Sequence, residues 1–456
     1  MKKRRSMVKD LTNGKPLKLI INFCLPLMLG QLFQQLYNMV DSIIVGKFAG
    51  TAELSAVGAT GSLVFLVLGF VNGFTSGITI PVAQAFGAGK QSRLRKLFVN
   101  GIYLTIFTTI VLTAITYSLA KPLLRLMNTP DDIFQMAYDY IGTIFLGLVA
   151  TFFYNFIAAI MRSLGDSKTP LILLVFSSVI NIGLDLLFVI VLKMACLGVA
   201  IATVIAQVLS AILGIIIIIK KYDILRFSKD EAKFSLEMIS KLSASGIPMA
   251  LQFSVTAIGS IMLQSAVNIL GESVIAAVAV ASKIQLLIIL PSESIGITMA
   301  TYCGQNLGAE RLDRIKSGTV VALILANIYA LIAGFISYFF GSKMGILFVS
   351  ADQTEILNYV GQFLKTACFF YPVLAVLFIF RNAIQGLGYS TSAMFAGAFE
   401  LVARGVMGYI IIPKFAYTAV CFANPSAWIA ADIFLIPAFV VVYLIVKKKT
   451  ERAKTV

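Results

Sequence analysis

The sequence predicts an all-α polytopic membrane protein, with twelve transmembrane helices in two six-helix bundles related by a parallel pseudo-two-fold repeat. Of its 456 residues, 59% are hydrophobic and only 13% charged, about half the charged share of a soluble domain. Apolar runs of bilayer-crossing length recur from end to end, without the short alternating segments of a β-barrel. The second half repeats motifs of the first in the same order. Twelve spans are read near 17–46, 54–80, 97–120, 134–158, 170–192, 197–219, 246–270, 274–300, 318–340, 356–382, 392–412 and 426–446.

Charge sets the sidedness. The net charge of +16 does not point to nucleic acid, because the basic residues gather in the gaps between apolar runs. The amino terminus, the even-numbered gaps and the carboxyl terminus carry 28 of the 37 Lys and Arg; the odd-numbered gaps carry six and the spans three. The positive-inside rule then places both termini in the cytoplasm, in a plasma (inner) membrane. Met1-Lys-Lys-Arg-Arg5 has the charge of a signal-peptide n-region, but the apolar segment after it is too long, so a retained first span is expected. This gives a cytoplasmic segment 1–16, a first lobe 17–219, a linker 220–243, a second lobe 244–446 and a tail 447–456.

The first span carries Pro26, which removes a helical hydrogen bond and marks a kink. Gln31, Gln34, Asn38 and Asp41 then fall on one helical side, with Gln35 and Tyr37 among them. A carboxyl inside a membrane is costly and marks a functional site by default. The second span ends in Asn72, Thr75, Ser76 and Thr79. A turn follows, Pro81 to Lys90 with Gln84, Gly87 and Gly89, rimmed by Arg93, Arg95 and Lys96. It lacks the Gly-Lys-Ser/Thr and the preceding strand of a phosphate loop. The fourth span offers Tyr140, Thr143, Thr151 and Asn155, and the next turn holds Gly165 and Asp166. The fifth aligns Ser178, Asn181 and Asp185 at helical spacing, and the sixth aligns Thr203, Gln207 and Ser210. Thr203 or Ser210 alone reads first as helix-packing glue. The polar stretch from Lys220 to Lys241 reads as the inter-lobe linker, with an amphipathic helix along the inner leaflet.

The repeat is specific. Gln84-Ala-Phe-Gly87-Ala88 returns as Gln305-Asn-Leu-Gly308-Ala309, Arg93 as Arg314, Gly50 as Gly271, Pro26 as Pro248 and Leu164-Gly165 as Leu387-Gly388. Both lobes therefore have one orientation, which suits a transporter with a central cleft. Met262 stands where Asp41 would recur, and Gly408 where Asp185 would. The second half instead carries Lys283, Glu293, Lys365, Glu400, Arg404 and Asp432, and Glu400 can pair with Arg404 one turn away. Unneutralised acids thus lie in the first half, where they attract a cation or hold a proton. The five cysteines, Cys24, Cys196, Cys303, Cys368 and Cys421, show no paired spacing and read as apolar filler. With no histidine, a proton relay must run on carboxylates, and His-ligated haem or zinc is excluded.

These residues together resemble the multidrug and toxic compound extrusion (MATE) family over roughly 15–445. The carriers are Pro26 with the amide ladder and Asp41-Ser-Ile-Ile-Val-Gly46, the two Gln-x-x-Gly-Ala motifs, Leu164-Gly165-Asp166 and the mid-chain linker. The resemblance implies a V-shaped pair of bundles that exports drugs and organic cations in exchange for H⁺ or Na⁺, with no cofactor and no enzymatic activity. It implies a cation site of Asp41, Asn181, Asp185 and Thr203, which would be the metal ligands under Na⁺ coupling. Gln34, Tyr37, Asn38, Tyr140, Asn155 and Gln207 would line the cavity. The stretch Pro248 to Thr256 lacks the glutamate that another branch uses there. The expected partners are small organic cations and the lipid bilayer, not nucleic acid, and the expected state is a monomer. A lipid-linked saccharide flippase is the alternative, but such proteins line the cavity with basic groups. A major facilitator would show Gly-x-x-x-Asp-Arg after the second span. An intramembrane transferase would need clustered carboxylates at the membrane face, and only Asp131-Asp132, on the outer side, comes near.

Overall fold

The structure, a computed structural model, describes residues 8–455. The first half opens with α1 (Pro16–Ile44), which runs into a π-helical turn, Val45–Ala49. α2 (Thr51–Ile78) passes Thr79 into α3 (Ile80–Gly87), and α4 (Gln91–Leu126) follows. α5 (Asp131–Leu146) and α6 (Leu148–Ser163) bend by 46° about Gly147, where Val204 leaves no room for a Cβ. α7 (Lys168–Leu186) ends in a second π-helical turn, Leu187–Val191, and α8 (Ala195–Lys221) closes the half.

The second half contains α9 (Leu236–Asn268), α10 (Glu272–Gly308) and α11 (Leu312–Gly345). α12 (Thr354–Cys368) and α13 (Tyr371–Gly386) bend by 56°. α14 (Ser390–Val406), a third π-helical turn Met407–Ile411 and α15 (Ile412–Thr455) complete it. Among the described residues nine stretches are long and apolar enough to span a membrane, and the two bent pairs qualify as spans when each is joined. The last of the nine, Ser390–Arg452, has 63 residues. Unbroken, it would reach ~95 Å, about three bilayer cores. It breaks at Ala416, with φ 48° and ψ −134°, and so crosses twice. Counting it twice and each bent pair once gives twelve spans.

Three expectations are corrected. The repeated Gln-x-x-Gly motifs are not turns: Gln84 to Gly87 is helical in α3, and Gln305 to Gly308 completes α10. The turns begin just after, at Gly89 (φ 67°) and its repeat mate Glu310 (φ 56°). The linker forms no amphipathic helix, only a 3₁₀ turn, Asp223–Leu225, and bends before α9. Arg381, counted with an inner gap, lies inside α13 and is 9% exposed. The repeat itself has a backbone cause. Gly50 and Gly271 take φ of 129° and 98° just before α2 and α10, a region closed to most side chains.

By internal contacts the described chain forms two units. One holds residues 8–10 with Leu29–Ala250; the other holds Leu11–Met28 with residues 251–455. The divisions fall two residues after Pro26 and two after Pro248. Each half therefore begins its first helix in the other unit. The start of α1 packs into the second unit's core through Ile20, Phe23 and Cys24. The start of α9 packs into the first through Met238, Leu242 and Ala250. There Gly77 and Gly246 allow close backbone approach: a Cβ on Gly77 would stand 2.6 Å from the Ser245 carbonyl. Small residues at such crossings supply van der Waals contact where lipid removes the hydrophobic drive.

Candidate cation site

Asp41 lies on α1 within the first unit, one turn before the π-helical Val45–Ala49. Asp185 lies at the end of α7, just before Leu187–Val191. The π turns pack through a small apolar cluster of Ile44, Val45, Val189 and Val199. Such wide turns recur at functional sites because they shift the helix register locally. Here they end the two helices whose carboxyls meet.

Asp185 is 0% exposed and Asn181 1%. The Asp41 and Asp185 carboxyls lie close enough to interact directly. Asn181 joins them. With its amide oriented to satisfy its neighbours, Nδ2 donates to Asp185 Oδ2 at 3.0 Å and to Asp41 Oδ1 at 3.0 Å, and its oxygen accepts from the Thr203 N–H at 3.2 Å. Thr203 Oγ1 lies 3.3 Å from the same amide and 3.4 Å from the Tyr37 hydroxyl. Tyr37 also lies within the electrostatic reach of Asp41. Tyr140 lies within the electrostatic reach of both carboxyls. Asp185 Oδ1 is buried and has no hydrogen-bond donor among the described residues.

Asp41, Asn181, Asp185, Thr203, Tyr37 and Tyr140 therefore come together. The other expected residues stand apart from this contact set. Asn155 donates to the Thr151 carbonyl of its own helix at 2.8 Å. Asn38 is exposed, and its carbonyl accepts from Ser42. Gln207 keeps a buried Oε1 without a partner one turn beyond Thr203, and Gln34 is half-buried on α1. Two carboxyls in contact repel when both are ionised, so the pair takes up one positive charge, a proton or a small cation.

The second unit is neutralised differently. Glu400 pairs with Arg404 at 3.3 Å and also with Arg381. The i, i+4 pair is as expected; Arg381 was missed, since it comes from another helix near the end of a predicted span. All three are at most 9% exposed. Arg404 stands at the repeat position of Asn181, and its Cδ approaches Gly259 at 3.1 Å from an added Cβ. Asp432 is 6% exposed, and its Oδ1 has no donor among the described residues. A cavity of about 580 Å³ in this unit is lined by Lys365, Gln362 and Phe422 among others. Its only charged lining residue is basic, so it does not suit a cation.

The sequence model of the MatE family matches residues 26–187 and 248–410, once in each half. The probable multidrug resistance protein YpnP of Bacillus subtilis (strain 168) is 29% identical over 383 residues, 83% of this chain and 84% of its own. Two solved structures share the fold. MATE in the bent conformation gives a TM-score of 0.89 at 21% identity, over 97% of this chain and 98% of that one. MATE in the straight conformation gives 0.83 at 21% identity, over 98% of each. The matched stretches cover more than half of the sequence and take in Asp41, Asn181 and Asp185, and on that ground this chain belongs to the MatE family of multidrug efflux transporters, and is not an enzyme.

Proposed function

We propose that the protein exports small organic cations and drugs by antiport, with Asp41 and Asp185 as the coupling acids. The observation that carries this is the Asp41–Asn181–Asp185 bridge, in which Asn181 and Asp185 are buried and Asp185 keeps an unpartnered carboxyl oxygen. A cation entering the pair and a drug leaving the cavity favour different conformations, and that difference in affinity is the coupling. Bending of α1 near Pro26, close to where the helix passes from one unit to the other, is the proposed readout. With both termini cytoplasmic in the plasma membrane, an inside-negative potential adds ~2.3 kcal/mol per charge per 100 mV to cation entry. No cofactor takes part, and the working unit is one chain in lipid.

With the Asn181 amide assigned so that its neighbours are satisfied, we infer H⁺ as the coupling ion. Asn181 turns its N–H donors toward the carboxyls, whereas Na⁺ as a hard cation calls for oxygen. Sodium at Asp41, Asn181, Asp185 and Thr203 would require that amide to flip. The saccharide-flippase alternative rests on Arg381 and Arg404, which both pair with Glu400 but keep Nε of each and Nη1 of Arg404 buried without an acceptor among the described residues.

The test is ethidium efflux from proteoliposomes under an imposed pH gradient and then a sodium gradient. Asp41→Asn combined with Asp185→Asn should cut gradient-driven efflux by at least about tenfold. Wild-type efflux in the double variant overturns the reading, and drive by sodium alone overturns the choice of proton.

A further inference from the structure

The Gln-x-x-Gly-Ala motif of the second half has no role in the cation site. Its Gln305 and the following Asn306 are 0% exposed, and Arg314 is 8%. Buried polar side chains need partners, so what they bond defines their purpose. All three converge on the backbone of one residue outside the helices, Leu11. The Leu11 N–H donates to Gln305 Oε1 at 2.9 Å, and the Leu11 carbonyl accepts from Asn306 Nδ2 and Arg314 Nη2, each at 3.3 Å. Arg314 Nε donates to Asn306 Oδ1 at 3.0 Å, and the Tyr302 hydroxyl donates to the Arg314 carbonyl at 3.2 Å. The Leu11 side chain is 2% exposed. This is a receptor built for a backbone segment that is separated from it by 294 residues.

The first unit does the same with different side chains. The segment before α9 is held on α4: the Tyr103 hydroxyl donates to the Ala232 carbonyl at 2.8 Å, and Asn100 binds the Lys233 carbonyl and the Ser235 N–H. Arg95 holds Glu231 through two hydrogen bonds of 2.7 and 2.8 Å. In each half, then, residues just ahead of the first helix, Leu11 in one and Glu231 to Ser235 in the other, are docked within the unit where that helix starts, and the helix changes unit two residues after its proline.

We propose that residues 11–13 are an anchor strap, and that Gln305, Asn306 and Arg314 are positioning residues that grip it. The strap fixes the start of α1 on the second unit, so that cation binding at Asp41 is expressed as bending near Pro26 rather than as sliding of the whole helix. This rests on Asp41 being a coupling acid. A lever without a fixed end transmits no motion, and the strap is that end.

Gln305→Leu removes the acceptor, whereas Gln305→Glu keeps one. A chain in which Met directly precedes Gly14 removes the strap and leaves every helix intact. Hydrogen exchange over residues 11–15 should quicken at least about tenfold in Gln305→Leu and stay near wild type in Gln305→Glu. The maximal rate of ethidium efflux should fall about fivefold or more in Gln305→Leu and in the truncated chain, with KM and the pH of half-maximal rate unchanged, and Gln305→Glu should recover it. Exchange in the wild type as fast as in a free peptide overturns the dock. Wild-type efflux in the truncated chain overturns the lever, as does a shifted pH profile, which would put Gln305 at the ion site. If Asp41→Asn with Asp185→Asn still effluxes at the wild-type rate, the coupling reading falls and takes the lever with it; the exchange comparison then judges the dock by itself.

Discussion

Asn181 spends both N–H donors on two different carboxyls, which makes it the residue where the cation site is most easily broken without removing an acid. Asn181→Leu keeps the volume but removes the donor that the two carboxyls share. Leaving such groups unsatisfied costs about 1–3 kcal/mol each. We expect a lower melting temperature in detergent, read by intrinsic fluorescence, and efflux reduced about tenfold or more. Arg381 makes the matching case in the second unit. Arg381→Leu leaves Glu400 with Arg404 alone, and breaking a buried pair costs about 3 kcal/mol. Converting Glu400 to Gln as well should return part of that loss; a further drop in melting temperature would count against neutralisation as its role. Asp41 and Asp185 were legible because acids are so expensive in a membrane that each one demands a reason, and Asn181 because it stands one turn before Asp185 on the same helix face. Arg381 was not, because a charge near the end of an apolar run reads as its exit.

Elements were read well where hydropathy alone decides and poorly where geometry intervenes. The apolar runs through 134–158 and 356–382 are continuous, so nothing in their hydropathy announces the bends of 46° and 56°. The π-helical turns are likewise silent, since they change register and not composition. The docked linker ahead of α9 makes an element-scale prediction. Hydrogen bonds from the Arg95 guanidinium, with one from the Ser228 N–H, hold the Glu231 carboxyl down from 4.5 to about 2. A group depressed in the folded chain contributes stability that is complete above its unfolded value and lost as pH falls through the folded one. Amide protection over residues 228–235, corrected for intrinsic exchange, should therefore decline only as pH drops from about 4.5 towards about 2. In Glu231→Gln it should be weaker at neutral pH and lose that dependence. A wild-type decline already complete at pH 5 would remove the Arg95 pair as its cause.

For the whole molecule, the span count and the repeat came from composition and motif order, and the twelve spans agree with them. The exchange of first-helix segments was illegible, since it depends on pairings hundreds of residues apart. Sidedness has a direct test. All five cysteines are buried and free, so the native background for thiol labelling is low. A cysteine at exposed Lys193 should react with a membrane-impermeant maleimide in intact cells, and one at exposed Lys90 only after permeabilisation. The reverse pattern would invert the topology.

The crossing of α1 and α9 between units has a consequence for dissection of the protein. It is a domain swap within one polypeptide. Cut in the linker, the amino-terminal fragment would carry Ile20, Phe23 and Cys24 with no core to receive them, and the carboxyl-terminal fragment would carry Met238 and Leu242 likewise. Neither piece is a self-sufficient half; each completes the other. Two polypeptides divided between Asp230 and Ala232 should therefore accumulate only when made together, each acting as the obligate chaperone of its sibling.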